Sequence, residues 1–418
     1  MHVAVLGGGV IGVAAAYFLG ADGHDVTVID GAREVGADAS AGNAGFLAPN
    51  DAFSWASPAV PAAVARSLLG EPTGLRVRFG LDPERILWGA RFLRECTSAR
   101  AYRASVAQMR LSTYSQVIQQ EIERDEDIDY SLVRRGSFYL YRDARRLAEA
   151  ARRSDLFREH GIEQRRMSMA EVTDLDPALD AARSHFAGAI HGVSDASGDC
   201  ATFTRALAGR CVDRYGARLV LDTQIRGLVG DPDRIRAAHT TAGDIEADAF
   251  VLALGVGSAR IARTLGVRLP IYPVKGYSAT FPVRDPDRVP TMPAVEQSTL
   301  IAWSRFGDRM RMSSTAEVAG YDRTWKPANF TSIRDLARDV LSGVDLDHGS
   351  YRACLRPMTP DGPPILGVGR HRNLVYNTGH GHLGWTMACG SGRVAADLVA
   401  GGRPAVDLTG MHLRGWRT

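Results

Sequence analysis

"VAVLGGGVIGVAAAYFLG", Val3 to Gly20, decides the fold. Val3 to Leu6 is a short apolar run, as a parallel strand buried on both faces requires. Gly7, Gly9 and Gly12 follow as GxGxxG, and Val10 to Leu19 read as a helix. "HDVTVID" then makes a second strand that ends on Asp30. The first glycine of such a turn allows the bend, the second lets a pyrophosphate approach the backbone, and the third lets helix and strand pack closely. The helix N-terminus offers the phosphates free N–H groups and a partial positive charge. Asp30 is spaced to bind a ribose. A glycine turn with no ligand is the plain alternative, but strand, glycines, helix, strand and terminal acid in succession point to a dinucleotide. The run is also long and uncharged enough to suggest a signal anchor. It lacks a positive flank and is broken by glycines, so strand, turn and helix is the reading.

The chain has 418 residues, which suits two intertwined domains. Hydrophobic residues make up 45% and charged residues 23%, an ordinary globular balance. The net charge of +3 gives no reason to expect a nucleic-acid partner. Lys275 and Lys326 are the only lysines, which singles out Lys275 because arginine serves almost everywhere else. Cys96, Cys200, Cys211, Cys354 and Cys389 are odd in number and scattered, so neither a disulfide framework nor a zinc knuckle is expected. A reducing cytosol fits.

"ASAGNAGFLAP", Ala39 to Pro49, reads as a loop where backbone again comes close to a ligand. Pro58 to about Asp125 is helical in character, with Ile86, Leu87, Ala90 and Leu93 on one helical face. Eight arginines stand against four acids between Val60 and Arg103. That describes either a solvated helical hairpin or a basic amphipathic surface for a membrane. "GSFYLYR" is a strand, a charged helix follows from Asp143 to His160, and Asp199 caps a helix that begins "ATFTRAL". "DAFVLALG" is a strand that ends at Gly255 and leads into another helix. "IYPVKGYSATFP", "TLIAWSRF" and "DRMRMSST" read as antiparallel strands of a second sheet.

"TGHGHLGWTMACGSG", Thr378 to Gly392, contains His380, His382 and Cys389. Residues two apart do not share a helical face, and no cluster of ligating partners stands nearby, so no metal is expected. An apolar strand, a glycine turn and a helix rich in small residues instead repeat the arrangement of the first stretch. A ligand that uses a pyrophosphate site and a second helix dipole, aimed at developing negative charge, is FAD.

"VLGGGVIGVAAAYFL", "VTVID", "SAGNAGFLAP", "IYPVKGYS", "LRPMTPDGPPILG" and "NTGHGHLGWTMACGSG", in order from Val3 to about Leu398, closely resemble bacterial FAD-dependent D-amino acid dehydrogenases. These are similar to D-amino acid, glycine and sarcosine oxidases. The resemblance implies an α/β (α+β) fold: a glutathione-reductase-type FAD-binding Rossmann domain interleaved with a substrate domain on a mixed or antiparallel sheet. Residues 1–57, 195–268 and 352–418 are assigned to the first domain. Residues 58–194 and 269–351 are assigned to the second, with a helical insertion.

By position, the resemblance implies that Gly7, Gly9, Val10, Ile11 and Gly12 cradle the pyrophosphate and Asp30 the ribose. Ser40, Asn43, Ala44 and Gly45 would follow the ribityl chain. Ile225 would meet the adenine, with Gly255 beside the cofactor, and Gly381, His382, Leu383, Gly384, Trp385 and Thr386 would bind the flavin pyrimidine edge. It implies oxidative deamination of a D-amino acid to a 2-oxo acid and ammonia, by hydride transfer from Cα to flavin N5, with electrons passed to a quinone-like acceptor. D-proline, hydroxy-D-proline, an opine or another secondary amine as substrate, or oxygen as acceptor, are the alternatives. Arg356 in "CLRPMTP" stands where relatives hold the substrate carboxylate, a task suited to a planar bidentate donor. His380, Tyr277 and Lys275 are further candidates for the catalytic centre. Cys354 falls near the position where sarcosine-oxidase relatives attach flavin covalently; a buried core cysteine with non-covalent FAD is the preferred reading. Cytoplasmic location, with peripheral contact to the inner face of the bacterial membrane, completes the expectation.

Overall fold

A computed structural model describes residues 1–68, 75–78 and 81–413 of the chain. The first strand, His2–Leu6, lies inside a six-stranded sheet. It runs parallel to Asp25–Ile29 on one side and Ala249–Leu252 on the other, with Val3 opposite both Val26 and Ala249. Leu374–Thr378 continues the sheet in parallel, Arg218–Val220 forms one edge, and the antiparallel strand Ile365–Val368 forms the other. Val3 to Leu6 are fully buried, as their unbroken apolar run requires.

Helices Val10–Ala21, Cys200–Tyr215 and Gly384–Val399 cover one face of this sheet. An antiparallel meander, Ile225–Asp231, Arg234–Thr240 and Gly243–Glu246, covers the other with helix Ser258–Thr264. Asp199 caps its helix as expected, accepting from the backbone N–H groups of Ala201 and Thr202. Gly216, left-handed at φ 68°, ends that helix.

Two helices decide where the site lies. A Cβ added at Gly392 would come 2.7 Å from the backbone carbon of Ala14. One added at Gly390 would come 2.7 Å from the Cα of Ser115, on the long helix Ser98–Glu126. The small residues of the C-terminal helix therefore permit direct backbone contact with two neighbours. This fixes the N-termini of Val10–Ala21 and Gly384–Val399 toward one cavity.

The second sheet has nine strands and is mixed. Tyr272–Pro282 pairs antiparallel with Arg309–Val318 on one side and Ser350–Met358 on the other. Ala294–Glu296 runs parallel to Ser137–Tyr141, which joins the hairpin-like half to strands Gly188–Gly192 and Gln164–Met167. Helix Thr331–Val340 closes one face over Trp303, Met310 and Phe281. Three expectations differ in detail. The boundary at residue 352 falls inside strand Ser350–Met358, whose pairing places it in the second sheet. The long helix Ser98–Glu126, assigned to the substrate part, packs against the C-terminal helix of the first domain. The stretch from Pro58 to Asp125 is not wholly helical, because Leu75–Val77 adds a parallel strand beside Arg309–Val318.

Gly392→Val is expected to destabilise the fold by ~1–3 kcal/mol, since backbone must move to admit the side chain. Gly209→Ala, in mid-helix with nothing within 4 Å of the new Cβ, is expected to hold or raise Tm. Thermal unfolding of both variants checks the contrast, and equal Tm values would show that the helix crossing tolerates bulk.

Candidate active site

A cavity of ≈ 1560 Å³ runs from the glycine turn of the first domain to the second sheet. Every expected site position lines it except Gly12, Gly45 and Lys275. At one end Gly7 adopts φ +119°, and a Cβ there would lie 2.5 Å from the Ala253 carbonyl oxygen. Gly12 is buried behind the turn, where a Cβ would lie 1.9 Å from the Gly7 oxygen. The helix begins at Val10, and Gly9 at its N-cap carries no side chain to close it. Ser40 Oγ accepts from the Val10 N–H at 3.1 Å. Asp30 accepts from the Gly8 N–H at 2.6 Å and the Ala32 N–H at 2.7 Å, so its carboxylate braces the turn that it faces. Gly45 lies under Phe306 and is a turn residue, not a wall of the cavity: a Cβ would lie 2.5 Å from the ring.

At the other end, Gly379 and Gly381 take φ 78° and 59° and turn the chain from strand Leu374–Thr378 into the C-terminal helix. No side chain caps that helix either. Thr386 Oγ1 accepts from the Ala48 N–H at 3.1 Å and ties this turn to the Ala39–Pro49 loop. Asn377 and His380 line the cavity with Asn377 Oδ1 and Nδ2 and His380 Nε2 buried and unpartnered within the chain, so they present hydrogen-bonding capacity to a ligand. Burial lowers the His380 pKa to about 3 and keeps the ring neutral at physiological pH, as a hydrogen-bonding group and not a proton carrier.

Arg356 reaches the cavity from strand Ser350–Met358, opposite Val274 of strand Tyr272–Pro282. Its guanidinium lies across Gly276, where a Cβ would fall 2.5 Å from Nη2. Burial depresses its pKa, while Cys354 and Asp51 act in the opposite direction. Lys275, one residue from Gly276, points away from the cavity. Its Nζ donates to the Thr324 carbonyl at 3.1 Å and to Asp322 at 3.4 Å, so the structure removes it from the candidate catalytic group. Tyr277 touches the cavity wall, but its hydroxyl donates to Glu317 and is not directed at a substrate.

Asp51, Asp195 and Trp55, which no local sequence pattern marks, complete this end beside His382. Asp51 closes the short turn Pro49–Asp51, and its carboxylate is half-exposed to the cavity, 46%. Burial and the neighbouring Asp195 carboxylate push its pKa up to about 7, while Arg356 opposes them. Asp51 lines the cavity, so its exposed surface is cavity wall and not outer surface. Asp195 is fully buried and accepts from Asn50 N at 3.2 Å, Asn50 Nδ2 at 2.9 Å, Tyr139 Oη at 3.0 Å and the Ser137 hydroxyl. Trp55 stacks on His382, with ring centroids 4.7 Å apart. His382 Nε2 stands 4.0 Å from Asp51 Oδ2, and burial lowers its pKa to about 3. His380, His382 and Cys389 do not converge, because Cys389 is buried inside the helix against the first domain's core.

A family model described as FAD dependent oxidoreductase matches residues 2–398. The chain belongs to that family. It is 40% identical to D-amino acid dehydrogenase 2 of Mesorhizobium japonicum over 412 residues, covering 98% of this chain and 99% of the relative. It is 38% identical to the D-amino acid dehydrogenase of Bradyrhizobium diazoefficiens, over 98% of both chains. Among solved structures it is similar to glycine oxidase from Geobacillus kaustophilus, with a TM-score of 0.75, 24% identity and 99% and 98% of the two chains covered. It is also similar to L-proline dehydrogenase from P. horikoshii, with a TM-score of 0.74, 17% identity and 99% and 96% covered.

The cavity fits the family's FAD: an elongated space, two open helix N-termini, a glycine cradle that a Cβ would fill, and unpartnered polar atoms at the far end. Cys354 is buried, its thiol donates to the Asp38 carbonyl at 3.6 Å, and burial pushes its pKa up to about 11. A thiol so held is a poor nucleophile at neutral pH, which agrees with the core-cysteine reading.

Gly276→Ala places its methyl against the tip of the Arg356 side chain, which can move without unfolding the strand. The expected result is full FAD content and a Tm within a few degrees of the parent, with amino-acid turnover reduced by roughly 10²-fold through misplacement. Unaltered kinetics would show that the guanidinium position against Gly276 is not the working one.

Proposed function

We propose that the protein carries out FAD-dependent oxidative deamination of D-amino acids to 2-oxo acids and ammonia. The observation that carries this reading is the Arg356 guanidinium on the wall of the cavity, at the end formed by the Gly381–Thr386 turn. The full-length relatives named D-amino acid dehydrogenase support it. Arg356 holds the substrate carboxylate with two parallel N–H donors and so fixes the Cα relative to the cavity walls. The turn at Gly381–Thr386 presents backbone N–H groups and a helix dipole to the pyrimidine end of the cofactor. Gly7, Gly9 and the start of helix Val10–Ala21 hold the pyrophosphate, and Ser40 to Ala44 follow the linking chain. FAD, when bound, supplies the acceptor for the hydride that leaves Cα. The imino acid that results is hydrolysed by water. A quinone-like molecule is the proposed electron acceptor.

The helix Pro83–Glu95 at the cavity mouth supports a membrane-surface role. Ile86, Leu87, Ala90 and Leu93, read from sequence as one apolar face, are all exposed, the three larger ones at 59%, 49% and 48%, while Trp88 alone of that helix is buried. Arg85, Arg91 and Arg94 share the helix. No helix among the described residues is long and apolar enough to cross a membrane. Co-sedimentation with anionic vesicles at low salt, lost at high salt, is the expected behaviour; protein that stays in the supernatant at low salt refutes the contact.

The visible spectrum of the purified protein under anaerobic conditions, before and after D-alanine, L-alanine, D-proline and sarcosine, tests the main reading. Bleaching by D-alanine and not L-alanine is expected. Arg356→Ala should keep its yellow colour and FAD content but lose on the order of 10²-fold or more in kcat/KM for D-amino acids. Undiminished turnover would take Arg356 out of the site.

A further inference from the structure

An amino acid in neutral water is a zwitterion, and its α-amine must be free of its extra proton before Cα–H can leave as hydride. Arg356 accounts for the carboxylate and leaves the ammonium without a partner. Among the described residues, four acids line the cavity: Asp30, Glu34, Asp38 and Asp51. Asp30 braces the nucleotide turn, Glu34 is exposed near it, and Asp38 is paired with Arg323 at 2.8 Å. Asp51 is the one that shares the Arg356 end.

We propose that Asp51 receives the substrate's ammonium group and takes its proton, so that the amine is neutral when hydride departs. The inference rests on the D-amino acid reading above. The step breaks one N–H bond of the ammonium and forms an O–H bond on the Asp51 carboxylate; nothing is oxidised or reduced. The proton passes to water after product leaves.

The surroundings suit this task. Asn50, pinned by Asp195, sets the direction of its neighbour Asp51 from a fully buried anchor. The groups close enough to act on Asp51 and its surroundings are Arg356, Asp195, Tyr139, Tyr141 and His382. Arg356 is committed to the substrate carboxylate. The two tyrosines have their pKa values raised by burial and remain protonated. His382 is stacked on Trp55 and neutral, so it does not compete for the proton. An ordinary aspartate titrates near pH 3.9 and is a weak base toward an amine. The cavity raises Asp51 to about 7, which narrows that gap and still leaves it ionised just above neutrality.

Reduction of the FAD-loaded enzyme by D-alanine, followed anaerobically between pH 6 and 10.5 for parent, Asp51→Asn and Asp51→Ala, tests the assignment. In the parent the apparent second-order rate should rise as pH passes about 7, because Asp51 must be ionised to accept a proton. Both variants should be slower by roughly 10²-fold near pH 7. Their deficit should shrink to a few-fold at the highest pH, where the free amine arrives already neutral. Propionate, a carboxylate without an amine, should perturb the flavin spectrum of the variants at least as tightly as that of the parent. A deficit equal at every pH, no deficit, or lost propionate affinity would overturn the role. So would a deficit seen with D-arginine and not with D-alanine, which would assign Asp51 to side-chain recognition. A parent that no D-amino acid reduces would instead sink the underlying reading of the site. A reducible parent with matching variants would sink this inference alone.

Discussion

The contact on which the rest of the structure depends is the crossing of helices Val10–Ala21 and Gly384–Val399, where Gly392 meets the backbone of Ala14. Close approach at that point brings two helix N-termini, separated by more than three hundred residues, to bear on one space. Each N-terminus concentrates unsatisfied N–H groups and a partial positive charge. Placed together, they offer N–H donors at both ends of a long cavity whose lining includes no lysine among the described residues. The glycines at 390 and 392 thus shape the cavity from a distance, through the helix contacts that they permit.

The second sheet completes the site by a similar economy of bulk. Strands Tyr272–Pro282 and Ser350–Met358 pair from Tyr272 opposite Met358 to Thr280 opposite Ser350. That register leaves Gly276 as a gap into which Arg356 lies. A buried guanidinium is costly unless partners are near. Cys354 and Asp51 both act to favour its charged form. The acid chemistry beneath is layered: Asp195 is held by four hydrogen bonds and fixes Asn50, and Asn50 fixes the chain at Asp51.

Much of this was legible in the sequence because local rules and tertiary structure agree. The glycine turn, the alternation of strand and helix, and the small residues after Met387 each carry a local physical signature, and the structure brings those segments together at the cavity. Lys275 shows the limit. Its rarity marked it out, but rarity does not give direction, and strand alternation turns it from the cavity into an ion cluster with Asp322 and Glu317. Asp51 lay two residues past the loop that drew attention at Ala39–Pro49, and nothing in "NDAFSW" distinguishes it from a surface acid. Its character comes from burial in the assembled fold and then from Asp195, 144 positions further on by number, and no local pattern encodes either. The domain boundary at 352 failed for a related reason: a strand's sheet membership is decided by its partner, here Tyr272–Pro282.

The order of strands in the first sheet also bears on how the molecule is made. His2–Leu6 is translated well before its neighbour Ala249–Leu252, and Leu374–Thr378 with the helix after it follows later still. Pairings so distant in sequence form slowly and leave apolar strands exposed meanwhile. On a ribosome, the glycine turn before Val10–Ala21 must wait for Gly384–Val399 to emerge before a closed cavity exists. Closure of the cavity therefore needs segments translated far apart, and loss of residues 369–418 would leave an intact nucleotide motif with nothing to complete it.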